Sequence, residues 1–235
     1  MKIKSILLGV ALFAVAGAAQ SPVSMERKYK VGETDEYKMK VDVSMSMGAV
    51  EVSMGMTQVV KKVYDNGDAD IETTLKDMKI MFGGQEIPSP GDTAPPVVME
   101  RYNKQGVQVG KSSSAGGAGN PMAQMMNFSK FSSFIPVGGL EVGKSYPVDT
   151  KDDKGKQEAK GTIKVESIAE GVAKFLADLD VTVEGSDKPL KVKTTSMVDV
   201  SSSKPNKVEG VVTNLPSQDG MEIESVKFVM ERVKK

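Results

Sequence analysis

The chain has 235 residues, 39% of them hydrophobic, with 31 basic and 31 acidic side chains and neither histidine nor cysteine. Without imidazole or thiolate it lacks the commonest tools of acid–base, nucleophilic and zinc chemistry, and it can form neither a disulfide nor a cysteine-linked lipid anchor. The even charge balance gives no basic field for nucleic acid.

The first elements read as an export signal. Lys2 and Lys4 form a positive start, residues 6–16 are apolar, and Ala16-Gly17-Ala18 supplies small residues for cleavage. Residues 1–19 are therefore expected to be removed, leaving about 216 residues outside the cytoplasm, in the periplasm or beyond. The apolar run is short for a membrane span, and no second run reaches spanning length, so no transmembrane segment is expected in the mature chain.

Residues 20–110 read as a first antiparallel β unit. Met39, Val41, Val43, Met45 and Met47 alternate with Lys40, Asp42, Ser44 and Ser46, which gives one apolar and one wet face. A turn at Gly48-Ala49 moves the apolar set to Val50, Val52, Met54 and Met56, predicting a hairpin. This second strand runs on to Tyr64. Asp65-Asn66-Gly67-Asp68 predicts a turn and residues 69–82 a third strand. A Gly/Pro-rich loop over 83–96 precedes a short hairpin spanning 97–109.

Residues 111–135 read as a flexible Ser/Gly linker followed by a short helix, opened by Pro121 and carrying Met122, Met125 and Met126. Residues 136–235 read as a second β unit, with strands expected at 156–168, 172–183, 190–200, 207–214 and 221–233. Ser203-Lys204-Pro205-Asn206 is one of its expected turns. Val31-Gly32-Glu33 followed by Tyr37 is echoed by Val142-Gly143-Lys144 followed by Tyr146. Two similar β-meander halves are the expectation, built as a curved antiparallel sheet, sandwich or open barrel with one helix between them.

Two catalytic motifs match by letter and fail by context. Residues 138–145 (GGLEVGKS) fit a P-loop, but Pro147 and an alternating stretch follow where a helix must stand. Ser201-Ser202-Ser203-Lys204 fits S-x-x-K, but it precedes Pro205-Asn206 in a predicted turn, and its companion motifs are missing. The acidic turns around Asp65 and Asp149 lack the EF-hand order. No cofactor and no carboxylate metal site is expected, and the chain reads as a non-enzyme.

The 16 methionines, against 7 Phe and no Trp, carry three open readings. They fill the core, or they form a deformable apolar surface for a lipid-like ligand, or their thioethers bind Cu(I). The ligand reading names Met39, Val41, Val43, Met45, Met47, Met54 and Met56 as the surface, with Met122, Met125 and Met126 covering it. A purely structural envelope role fits the same composition.

The segment from Tyr29-Lys30-Val31-Gly32 to Asp65-Asn66-Gly67, with Asn120-Pro121-Met122 and Leu140-Glu141-Val142-Gly143-Lys144-Ser145-Tyr146, resembles a group of uncharacterised exported bacterial β-proteins and lipoproteins. That resemblance implies an exported β-rich protein and brings no activity or site residues with it. At the level of fold, the chain is also similar to periplasmic lipid carriers with a curved antiparallel sheet around an apolar cavity.

Overall fold

Strict polar–apolar alternation makes strands, and strands fill the chain. The computed structural model describes residues 22–87, 97–109, 113–114, 135–151, 157–182, 186, 188–217 and 222–233. Its elements are β1 (Val23–Ser24), β2 (Thr34–Met45), β3 (Gly48–Val63), β4 (Ala69–Phe82), β5 (Gln85–Ile87), β6 (Val97–Tyr102) and β7 (Ser113–Ser114), then β8 (Gly139–Leu140), β9 (Ser145–Lys151), β10 (Gln157–Ala169), β11 (Val172–Val181), β12 (Leu190–Asp199), β13 (Pro205–Thr213) and β14 (Ile223–Arg232). No helix occurs among the described residues. The helix expected over 122–134 lies outside them, as do the export signal and most of the expected linker.

All strand pairs are antiparallel. The 12-stranded sheet runs β7-β6-β4-β3-β2-β14-β13-β12-β11-β10-β9, with β5 pairing β4 at one side. Read from β9 to β14 and on through β2 to β7, this is chain order with a single cut. The last strand, β14, pairs with β2 along nine residue partners, from Ile223↔Met45 to Arg232↔Tyr37. The meander thus rolls up as an up-and-down barrel would, but β7 and β9 do not pair, and the sheet stays open there. The two β units share one curved sheet rather than packing as separate ones.

One face of this sheet holds the core. Val41, Val52, Met54, Met56, Leu75, Ile163, Val165, Phe175, Leu179, Val192, Val208 and Phe228 belong to a single buried cluster that spans both halves. At the end where β2 starts, a separate ribbon pairs β1 with β8 (Val23↔Leu140) and delivers Met25, Ile135 and Leu140 into the same cluster. Ile135 N–H donates to Gln105 O and Arg27 N–H to Lys104 O, which fixes this plug to the turn after β6. That end is the floor of the barrel. The opposite end, bearing the β2–β3 and β4–β5 tips, is its mouth.

Several local features depart from the sequence-based expectation, each for a physical reason. The β2–β3 turn is Ser46-Met47, with Met45 paired to Gly48, so Met47 is a turn residue rather than the last residue of an apolar face. Gly48, at φ 137°, takes the backbone strain of this two-residue loop. Ser113–Ser114 pairs with Val98 and Met99 instead of belonging to a linker. Pro205 opens β13, and the turn lies over 200–204, because a strand's first residue can lack its amide. Asp77, at φ 52°, is an extra residue where β4 passes Ser53–Gly55 of β3. This bulge switches the inward residues of β4 from Ile71, Thr73 and Leu75 to Met78, Ile80 and Phe82.

The two sequence echoes are built alike. Gly32 and Gly143 have φ 82° and 84°. Gly32 N–H donates to Val60 O, and Val60 N–H donates to Glu33 O; Gly143, Val165 and Lys144 repeat both bonds. A bulge follows in each case, after Val60 on β3 and after Val165 on β10.

Curvature depends on missing side chains. A β-carbon on Gly161 would fall on the carbonyl oxygen of Asp178 and 2.8 Å from Leu179 Cα, and one on Gly210 would fall 2.6 Å from Phe228 Cζ. At both glycines a neighbouring strand comes closer than a side chain would allow. Gly161→Ala is expected to lower stability by about 3 kcal/mol, because backbone must move to admit the methyl. Urea unfolding checks this, with Gly83→Ala at the exposed β4–β5 turn as the control for loss of a left-handed glycine alone.

Candidate functional site

The expected site residues divide by depth. Cross-strand register places Val41 beside Val52 and Phe228, and Met39 between Met54 and Met230. Val41, Met54 and Met56 are core residues; Val41 is 1% exposed. Met39 and Val43 are partly buried against the same core. Met45 is half-buried at the end of β2, and Met47 is 73% exposed at the tip. Met122, Met125 and Met126 lie outside the described residues.

The inner face therefore grades from closed to open along the barrel. At the floor, Met56, Val60, Ile71 and Leu75 are buried. At the mouth, Val43, Met45, Val50, Met78, Ile80 and Ile223 are only partly covered. Phe82 and Ile87, which the register puts on the same face through Val50↔Phe82 and Ile80↔Ile87, are 41% and 44% exposed. On the C-terminal half the inner side chains stay buried up to the same end: Val148, Val181, Leu190 and Val212. The open apolar surface thus belongs to β2, β3, β4, β5 and the start of β14.

Sequence reasoning missed Met78, Ile80, Phe82 and Ile87 as members of this surface. Their signal was the parity change in β4, where apolar residues move from odd to even numbers after Leu75. Met230 and Ile223 carried no local signal, since only the β14–β2 pairing brings them there.

The floor is chemically the opposite of the mouth. Asp35 at the start of β2 accepts a hydrogen bond from Arg232 at 2.7 Å and one from Lys204, whose ammonium also lies 2.7 Å from Glu33. Asp35 and Lys204 are 14% and 12% exposed at their side chains, so this is a nearly buried ion cluster. Arg27 donates to Ser203 O at 3.2 Å, and Tyr29 donates to Asn103 O at 3.0 Å. A cavity of about 20 Å³ lies among Arg27, Tyr29, Glu33, Asp35, Tyr37 and Lys204, room for one water molecule. Burial pushes the Tyr37 hydroxyl up to about 12, and the charge of Asp35 adds to this. Burial also raises Tyr29, and it raises Tyr102 well above the usual tyrosine value, helped by Glu100, which accepts the Tyr102 hydrogen bond at 2.6 Å.

The motifs weighed from sequence lie near this floor and in turns. Ser145 opens β9, with Gly143 in a left-handed turn before it, so no helix N-terminus faces residues 138–145. Ser201 and Ser202 donate hydroxyl hydrogen bonds to Asp199 at 2.6 and 2.8 Å, and Lys204 is engaged by two carboxylates. The Ser201 hydroxyl holds the Asp199 carboxyl below its usual range. No group of three or more acidic side chains is placed to hold a metal ion among the described residues. No helix among them is long and apolar enough to cross a membrane.

A wide, open trough of about 780 Å³ crosses the outer face over β10 to β14, floored by Leu176, Val211 and Val229. Its acids are matched within the sheet, Asp178 by Lys193, Asp42 by Lys40 and Glu209 by Lys207. That alternation is the ordinary chemistry of a solvated sheet face.

Two expectations follow from the floor. Asp35→Asn leaves Arg232 without its partner in a nearly buried site and should cost about 3 kcal/mol in urea unfolding. Lys40→Ala, which breaks only exposed ion pairs, should cost less than about 1 kcal/mol. The three floor tyrosines have folded values above the unfolded value of about 10, so their neutral forms stabilise the fold fully below that pH. This contribution is lost as pH rises from about 10 through 12. Absorbance at 295 nm should show these three of the five tyrosines ionising only together with unfolding in that window. The chain matches none of the protein-family models scanned and none of the curated proteins searched.

Proposed function

We propose that this chain is an exported, non-catalytic binding protein that takes an apolar, lipid-like ligand at the mouth of its incomplete barrel. The observation that carries the reading is the one-sided exposure gradient of the inner face, from Val41 at 1% to Phe82 at 41%. A core built only for stability gains by burying its aromatic and methionine side chains, at roughly 25 cal/mol per Å². Leaving Met45, Phe82 and Ile87 partly open at one end forgoes that gain and leaves a surface an apolar guest can cover. Met45 and Met78 suit this role because an unbranched thioether chain adapts to guests of varied shape. The floor plug and its ion cluster cover the other end, so the apolar surface is offered at the mouth.

The same register favours a second reading. Met54, Met39 and Met230 stand side by side across β3, β2 and β14, a row of three thioethers of the kind Cu(I) accepts. Met54 and Met230 are buried among apolar side chains, where a monovalent cation is costly to place. The apolar-guest reading needs no such counter-charge and is the better supported.

Native mass spectrometry of the full mature chain, purified gently from its own cell envelope, tests both. A lipid-sized added mass is expected, and Met45→Glu at the mouth should reduce its occupancy at least tenfold while the melting temperature moves by only a few degrees. An increment of one copper ion, lost on Met39→Leu with Met230→Leu, would replace this reading with the metal one. A bare mass, with no uptake of added fatty acid, would overturn it.

A further inference from the structure

We propose that the two hairpin tips at the mouth, Met47 on β2–β3 and Phe82 with Ile87 on β4–β5, form a lip that dips into a lipid bilayer. This rests on the ligand reading above for its purpose, since a lipid-like guest must leave and enter an apolar phase. Its chemistry stands on separate observations. The tips adjoin: a β-carbon on Gly48 would lie 3.6 Å from the Phe82 ring, so the ring rests against the β2–β3 turn. Residues 43–50 (VSMSMGAV) and 80–87 (IMFGGQEI) hold one charged side chain, Glu86, although 26% of the chain is charged. At that frequency these 16 residues would carry about four charges.

The opposite end shows what an ordinary exposed turn looks like here. Val31 and Val142 are exposed at the floor, each between charged residues, Lys30 and Glu33 for one, Glu141 and Lys144 for the other, while Val137 is a single exposed side chain in the uncharged run 135–140 with no second apolar tip described beside it. At the mouth Asp42, Glu51 and Lys79 stand behind the tips, Glu86 lies between Phe82 and Ile87, and Glu222 borders the β2–β3 turn, where its carbonyl accepts from Ser46 N–H.

Size and shape decide between a membrane and a protein partner. A stable protein interface covers about 800 Å² on each side and carries a polar rim with matched hydrogen bonds. Three side chains on two narrow turns supply a fraction of that area and too few polar groups for such a rim. A bilayer asks for neither. It accepts a few apolar side chains at the depth of its headgroups, and with so few the contact is weak and reversible, as a carrier requires.

The chain has no tryptophan, so a single one reports its own surroundings. Phe82→Trp should shift its emission to the blue on mixing with phosphatidylcholine vesicles, and brominated lipid should quench it. Val142→Trp, at the floor, should do neither. Met47→Asp added to Phe82→Trp should weaken partitioning at least tenfold, and moderate salt should leave it unchanged because no charge drives it. No shift at Phe82→Trp, or equal shifts at both positions, would overturn the lip. Uptake of a monomeric fatty acid is measured separately, without vesicles. Uptake without vesicle binding would sink the lip, pass it to a protein surface, and leave the ligand reading standing. Vesicle binding without uptake would support the lip and remove the ligand reading.

Discussion

The pairing of β14 with β2 is the constraint on which the rest of the structure depends. Every other neighbour in the large sheet is supplied by a hairpin or a short connection, which the chain forms locally. This one joins the two ends of the strand sequence, and its ion cluster spans separations of 169 and 197 residues. Without it the two halves would be separate ribbons, each with its apolar face in water. With it the inner faces merge into one core. Loop-closure entropy makes such a pairing late and slow in folding, since long-range order must be reached before its contacts stabilise anything. A nearly buried carboxylate held by an arginine and a lysine suits that position. It contributes modest net energy, but it penalises any other register strongly, because a one-residue slip leaves charges buried and unmatched.

The two ends of the barrel then divide the work. At the floor, tyrosines, a plug ribbon and paired charges pack around a cavity large enough for one water molecule. At the mouth, apolar side chains are left half-covered. The charged side chains at the floor pair within the chain, whereas at the mouth Phe82 and Ile87 stay 41% and 44% exposed among the described residues. The parity switch at Asp77 creates this asymmetry, since without it Met78, Ile80 and Phe82 would face outward and the mouth would have no aromatic rim.

Much of the fold was legible because period-two alternation is strict. The bounds of β4 follow directly from it, and the hairpin turn at Asp65-Asn66-Gly67-Asp68 carries the glycine that left-handed backbone requires. Alternation left a curved sheet, a sandwich and an open barrel as alternatives, and the cyclic strand order was not legible, because the β14–β2 register depends on shape over the whole sheet rather than on any local pattern. Methionine marked the inner face correctly from Met39 to Met45 and failed at Met47, where alternation cannot distinguish a last strand residue from a turn. The ion cluster escaped notice for another reason. Glu33, Asp35, Lys204 and Arg232 look like ordinary surface charges until the pairing brings them together. The helix and the Met122–Met126 cluster fall outside the described residues.

Because the strand order is chain order with one cut, the sheet does not specify where the polypeptide begins. Val233 N–H donates to Glu36 O, so the last described residue lies against the start of β2. Tying residue 233 to residue 22 with a flexible linker, and opening the chain between residues 114 and 135 instead, would turn the slowest pairing into a local connection. The barrel's fixed sequence of neighbours would survive, while its folding speed, read as the refolding rate by stopped-flow tyrosine fluorescence, would rise. Architecture and folding order are separable in this molecule.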